Sequence, residues 1–141
     1  MVPTYNSDPR SKLYARPDTP RKITVLVVDD LDSTREFIGY ILQQGGYKVI
    51  NARDGKSALQ CAEENNPDVI LLDVLLPGLD GYSVCSQMKN HPFLKNRKVI
   101  IFSALNSEAD KHKAREVGAD AFLEKPVESA KLLTVIKSVL T

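Results

Sequence analysis

Five short apolar runs alternating with five helix-like patterns predict an α/β protein. The expected architecture is a doubly wound sheet of five parallel strands with helices on both faces. Two observations carry this. The runs ITVLVV (23–28), DVILL (68–72) and KVIIF (98–102) are β-branched and continuous, as in strands buried on both faces. The segments between the runs space their apolar residues three and four apart, the helical period.

Each element follows from its residues. ITVLVV is the first strand. In DSTREFIGYILQQGG, Ser33 and Glu36 stand at capping-box spacing. Phe37, Ile38, Ile41 and Leu42 share one face there, and Gly45 or Gly46 stops the helix. YKVINA (47–52) is the second strand. Arg53, Asp54 and Gly55 read as turn and cap, with Asp54 capping a helix that carries Ala58, Leu59 and Ala62. Pro67 closes that unit and DVILL is the third strand. A helix over Gly81–Lys89 leads into the polar loop NHPFLKNR and the fourth strand, KVIIF. A helix near Ser107–Val117 ends at Gly118, and its run EADKHKARE reads as a solvated face with i,i+4 charge pairing. AFLE (121–124) is the fifth strand. The last helix, about Glu128 to Leu140, presents Leu132, Leu133, Ile136, Val139 and Leu140 inward and Lys131 and Lys137 outward.

Composition sets bounds. With 141 residues, 43% hydrophobic and 26% charged, the chain fits one ordinary globular domain. A net charge of +1 provides no overall field for nucleic acid or membrane, and neither is expected as a direct partner. No apolar run approaches the ~20 residues of a membrane span. Cys61 and Cys85 lie in helical patterns without metal spacing, as reduced thiols of a cytoplasmic protein do. Residues 1–22 differ: they hold four of the eight prolines and five cations, with no apolar period. They are expected to form a flexible basic N-terminal arm preceding a domain over 23–141.

Right-handed crossovers place every strand's carboxyl end along one edge, where ligands bind in open sheets. Asp29 and Asp30 follow the first strand, Asp73 the third, Ser103 the fourth and Lys125–Pro126 the fifth. Singly, an Asp after a strand is a turn or cap residue. Jointly, three acids, a hydroxyl and a lysine on one edge define a pocket. Two carboxylates about 5 Å apart at an effective dielectric of ~20 repel by roughly 3 kcal/mol. Three would hold a proton or recruit a cation, and hard oxygen ligands with room for water favour Mg²⁺. A lysine and a hydroxyl beside them suit an arriving phosphoryl group, with the central Asp73 as nucleophile.

With VVDD, ILLDVLLPGLDG, IIFSA and FLEKP in order, residues 23–140 resemble the receiver domains of two-component response regulators. The resemblance implies a flavodoxin-like (βα)5 sheet in the order 2-1-3-4-5, an order taken from that class. It implies that Asp73 accepts a phosphoryl group from the phosphohistidine of a histidine kinase or histidine phosphotransfer protein. It further implies that Asp29, Asp30, Asp73 and the backbone carbonyl of Leu75 hold Mg²⁺, and that Lys125 pairs with the phosphate. Ser103 would be the switch hydroxyl and Phe122 the ring that turns inward when it moves. The bond to Pro126 would be cis. The responding face would be the fourth helix, fifth strand and fifth helix, read by a downstream effector, with homodimerisation on phosphorylation one outcome. Such a domain is a switch rather than a conventional enzyme, catalysing only its own phosphotransfer and slow dephosphorylation.

Departures from the family pattern are Leu76, where methionine is common, and Phe122, which lacks the hydroxyl of the frequent tyrosine. Leu75 and Leu105, at positions that influence attacking water, are apolar, so a long-lived phosphorylated state is expected. A haloacid-dehalogenase-like phosphatase would need an acid where Leu75 stands. Flavin binding would need a Ser/Thr/Gly-rich loop where DDLDST stands, and a Walker A motif is absent. A phosphorylation-independent pseudo-receiver would be marked by loss of the acceptor, metal acids or lysine, all of which are present. His91 and His112 read as solvated. The chain is expected to be a stand-alone regulator or a receiver excised from a longer protein.

Overall fold

The structure, a computed structural model, describes residues 21–141. The arm expected over 1–22 therefore lies outside the described residues, apart from Arg21 and Lys22. Ten elements alternate: β1 (Thr24–Val28), α1 (Asp32–Gln44), β2 (Lys48–Ala52), α2 (Gly55–Asn65), β3 (Val69–Asp73), α3 (Gly81–Lys89), β4 (Lys98–Ser103), α4 (Glu108–Glu116), β5 (Ala121–Glu124) and α5 (Ser129–Leu140). The strands form one sheet in the order β2-β1-β3-β4-β5, with every pair parallel. The flavodoxin-like topology is the one observed.

The continuous apolar runs are explained by the two layers they serve. Side chains alternate across a strand, so each run splits between two cores. Leu26, Val28, Ile70, Leu72, Val99 and Ile101 face the layer of α2, α3 and α4, where Ala58, Ala62, Val84, Cys85, Met88 and Ala114 are buried. Val25, Val27, Val69, Leu71, Ile100 and Phe102 face α1 and α5 and meet Ile38, Leu42, Leu132 and Ile136. β3 sits at the centre with all five residues buried. Both cysteines are free thiols, Cys85 buried and Cys61 half-buried.

Three local expectations are corrected. The Ser33–Glu36 capping box does not form: α1 begins two residues earlier, with Leu31 at the N-cap and no side-chain cap bond. The turn is instead tied by Asp29 Oδ1, which accepts the Leu31 N–H at 2.9 Å. Phe37 is 53% exposed rather than part of the buried stripe. Ile38, Ile41 and Leu42 fill the contact with the sheet, and Phe37 is rotated about 100° from Ile38 around the helix. In α5 only Leu132 and Ile136 are fully buried, while Leu140 is the last residue of the helix, 36% exposed. The Asp54 cap is present, completed as a capping box by Ser57.

The strand order decides where the site lies. β1 is flanked by β2 on one side and β3 on the other, so the chain reverses direction between β1 and β3. Reversal opens a crevice at the carboxyl ends of these two neighbouring strands. Asp29 and Asp30 follow β1, and Asp73 ends β3.

Candidate functional site

Asp29, Asp30 and Asp73 each offer a carboxylate oxygen, and these oxygens all lie within 4.8 Å of one another. Asp29 is wholly buried and Asp73 is 4% exposed, whereas Asp30 is exposed. Lys125 enters from the end of β5. Its Nζ lies 2.8 Å from Asp29 Oδ2 and 3.2 Å from Asp73 Oδ2. It also sits 4.7 Å from the centroid of the Phe102 ring, a cation–π contact that steadies a cation emerging from an apolar face. The Lys125–Pro126 peptide bond is cis.

One ammonium against three carboxylates leaves the pocket with surplus negative charge. Burial pushes the Asp73 carboxyl above its usual range; Lys125 draws it down, the Asp29 charge pushes it up again, and the net direction is up. For Lys125 burial acts to lower the pKa, but its hydrogen bond to Asp29 and the charges of Asp73 and Asp29 outweigh it and raise the value. A pocket so charged and so near water fits a small hard cation. Asp30 is the open donor, since its carboxylate has no partner among the described residues. Both Asp29 oxygens already accept, one from Leu31 and one from Lys125.

Ser103 is fully buried as the last residue of β4. Its Oγ accepts the Leu105 N–H at 3.0 Å, which leaves its own proton available. Its carbonyl accepts the Lys125 N–H at 3.0 Å, so hydroxyl and lysine are held in one register. Phe122 is not in the acid pocket. It sits on β5 three residues before Lys125, half-buried, lining a cavity of about 230 Å³ with Lys111, Ala114 and Arg115 of α4. Leu75 follows Asp73 on the exposed turn, and its N–H approaches Asp73 Oδ1 at 3.4 Å.

Three contributors were not legible as site residues. Phe102 reads as core and turns out to support Lys125. Arg35 reads as a polar helix residue, yet it donates to the Asp29 carbonyl and pairs with Asp32. The only signal was its i,i+3 spacing to Asp32. Gly81 reads as a helix start. A Cβ built there would lie 2.1 Å from the Asp73 carbonyl oxygen, and its N–H donates to Val74 O at 2.9 Å. The acceptor turn therefore packs directly on the first residue of α3. Outside the site, His91 is more than solvated: it lies 3.1 Å from Glu63 and accepts the Phe93 N–H, tying its loop to α2.

The five-stranded parallel sheet thus carries an Asp–Asp–Asp–Lys pocket on its carboxyl edge. The chain belongs to the response regulator receiver domain family, whose description matches residues 25–137. It is 37% identical over 114 residues to response regulator PleD of Caulobacter vibrioides, covering 81% of this chain but only 25% of PleD. It is 37% identical over 116 residues to protein PilG of Pseudomonas aeruginosa, covering 82% of this chain and 86% of PilG. The crystallised chemotaxis protein CheY4 of Vibrio cholerae superposes with a TM-score of 0.81 at 31% identity, covering 84% of this chain and 99% of that one.

Proposed function

We propose that this domain is a phosphorylation-activated switch that accepts a phosphoryl group on Asp73 from a histidine kinase or histidine phosphotransfer protein. The observation that carries it is the placement of Asp73: a buried carboxylate at the end of the central strand, 3.2 Å from Lys125 and clustered with Asp29 and Asp30. An Asp73 oxygen attacks the phosphorus of the donor phosphohistidine; the O–P bond forms as the P–N bond breaks, its electron pair returning to the imidazole nitrogen. Lys125 pairs with the transferred oxygens and the Ser103 hydroxyl donates to one of them. Asp29, Asp30, Asp73 and the Leu75 carbonyl would hold Mg²⁺. Bound there, the ion supplies neutralisation of the charge that builds on the phosphoryl oxygens.

The readout is conformational. Ser103 moves toward the phosphoryl oxygens, and Phe122 moves from its half-buried place under α4 toward the vacated space. The α4–β5–α5 face changes and a downstream effector reads it. Leu75 and Leu105, both exposed beside the pocket, offer attacking water no hydrogen-bonding side chain, in keeping with a long-lived aspartyl phosphate. A cytoplasmic setting suits that kinase partner and the two free thiols, and no helix among the described residues is long and apolar enough to cross a membrane.

The test is labelling with acetyl phosphate and Mg²⁺, comparing the parent with Asp73→Asn. The parent is expected to take up phosphate and the variant to take up none. Equal labelling of the two proteins would overturn the assignment. Labelling of neither would favour the phosphorylation-independent reading.

A further inference from the structure

The turn between β1 and α1 carries two of the three acids, and Arg35 spans it. One guanidinium nitrogen donates to the Asp29 backbone carbonyl at 2.5 Å, and the other pairs with the Asp32 carboxylate. Asp29 directly follows β1 and Asp32 opens α1, so a single planar fork bridges both ends of the turn. Asp30 and Leu31 lie inside that span. The Arg35 side chain is only 14% exposed, although Asp32 is 68% exposed. An exposed i,i+3 ion pair alone contributes little and would not require a largely covered arginine side chain. The bond to the Asp29 carbonyl is the contact that a helix-surface pairing does not account for.

We propose that Arg35 is a positioning residue for the cation site, holding the turn so that Asp30 faces Asp73. This rests on the reading of the acid cluster as a Mg²⁺ site. The two acids of the turn are secured very differently. Asp29 is fixed at every polar atom: its N–H donates to Ala52 O, its carboxylate accepts from Leu31 and Lys125, and its carbonyl accepts from Arg35. The Asp30 carboxylate has no partner among the described residues, so its location depends on the backbone that carries it. That backbone is the stretch clamped by the fork. Groups that orient metal ligands without touching the metal commonly change affinity 10- to 100-fold when removed.

Charge and position make opposite predictions here. A guanidinium beside a cation site repels the cation, so an Arg35 acting only through its charge would weaken Mg²⁺ binding, and its removal would tighten it. An Arg35 acting through position would do the reverse. Lysine keeps the charge but cannot bridge both acceptors as the planar fork does.

The experiment is calorimetric titration of the full chain with MgCl₂ for the parent, Arg35→Ala, Arg35→Lys and Asp30→Asn, with thermal melts in EDTA confirming folded protein. Arg35→Ala and Arg35→Lys are expected to bind Mg²⁺ about tenfold more weakly than the parent. In acetyl phosphate labelling, Arg35→Lys should need more Mg²⁺ for its half-maximal rate yet approach the parent's rate at saturation. Parent-like or tighter binding in Arg35→Ala overturns the proposal, as does slow labelling of Arg35→Lys at every Mg²⁺ concentration with an unchanged Kd. A parent that binds no Mg²⁺ overturns the cation-site reading and this inference together. A parent that binds, an Asp30→Asn that does not, and Arg35 variants that match the parent remove only the role of Arg35.

Discussion

Asp73 is costly to the unliganded fold. Burial and the neighbouring Asp29 hold its carboxyl above the usual range despite Lys125. For a raised carboxyl the sign is fixed: the ionised form destabilises the native state above the folded pKa, and the cost fades as pH falls through that value. Asp73→Asn is therefore expected to raise the urea midpoint in EDTA at neutral pH, with the difference shrinking on acidification. Mg²⁺ should stabilise the parent by mass action and leave the variant unmoved. A variant less stable than the parent at neutral pH would contradict this account. Gly81 constrains the same turn from the other side. A methyl group there must displace the Asp73 carbonyl, so Gly81→Ala is expected to cost about 1–3 kcal/mol and to slow acetyl phosphate labelling. Urea unfolding and the labelling rate measure the two effects. Asp73, Lys125 and Ser103 were readable because each ends or follows an apolar strand. Gly81 was not, because its neighbour is a backbone atom eight residues earlier.

At the scale of elements, α4 has the fewest buried residues of the five helices described. Its only fully buried residue is Ala114. Its outer edge is tied to β5 by Lys111 Nζ, 3.0 Å from Glu124 Oε1. The pair shifts in concert: a hydrogen bond and the charge of Glu124 raise Lys111, and a hydrogen bond and the charge of Lys111 lower Glu124. Glu124 thus ties α4 to β5. Exposed pairs contribute little to global stability. Glu124→Gln is expected to leave the unfolding midpoint unchanged while speeding amide exchange across residues 104–116. Unchanged exchange there would show that Glu124 does not hold the segment. The charges of α4 were legible from EADKHKARE, but their partner on β5 was not, because the pairing crosses between elements.

The whole molecule is stitched at the opposite edge as well. Asp68 precedes β3 and is nearly buried, and Arg21 grips it through both oxygens at 3.1 and 2.5 Å while the Thr24 N–H donates to it at 2.9 Å. Burial acts to raise the Asp68 carboxyl, but the Arg21 hydrogen bond, the Thr24 N–H and the charges of Arg21 and Arg97 outweigh it and lower the value. A lowered carboxyl contributes stability above its usual range and loses it as pH falls through the folded value. Arg21→Ala should therefore cost roughly 1 kcal/mol at neutral pH, a figure kept small because Arg21 is half exposed. The difference from the parent should vanish in strong acid. Labelling should be unaffected, because Asp68 lies at the amino edge of the sheet and Asp73 at the carboxyl edge. A loss of labelling in this variant would show that the two edges are coupled.

The sequence by itself determined the alternation of strands and helices and the identity of the edge residues. Both follow from local information, from apolar period and from which polar residue ends each run. It carried the family through four short motifs in order. Only the tertiary structure decided which groups meet. The strand order brings Asp29 beside Asp73 and sends Lys125, 96 residues from Asp29, to lie between them. It left Phe37 in solvent, replaced the Ser33 cap with a turn held by Asp29, and made Arg35 and Gly81 parts of the site. These outcomes depend on which surfaces compete for burial and for hydrogen bonds. No local pattern records that competition.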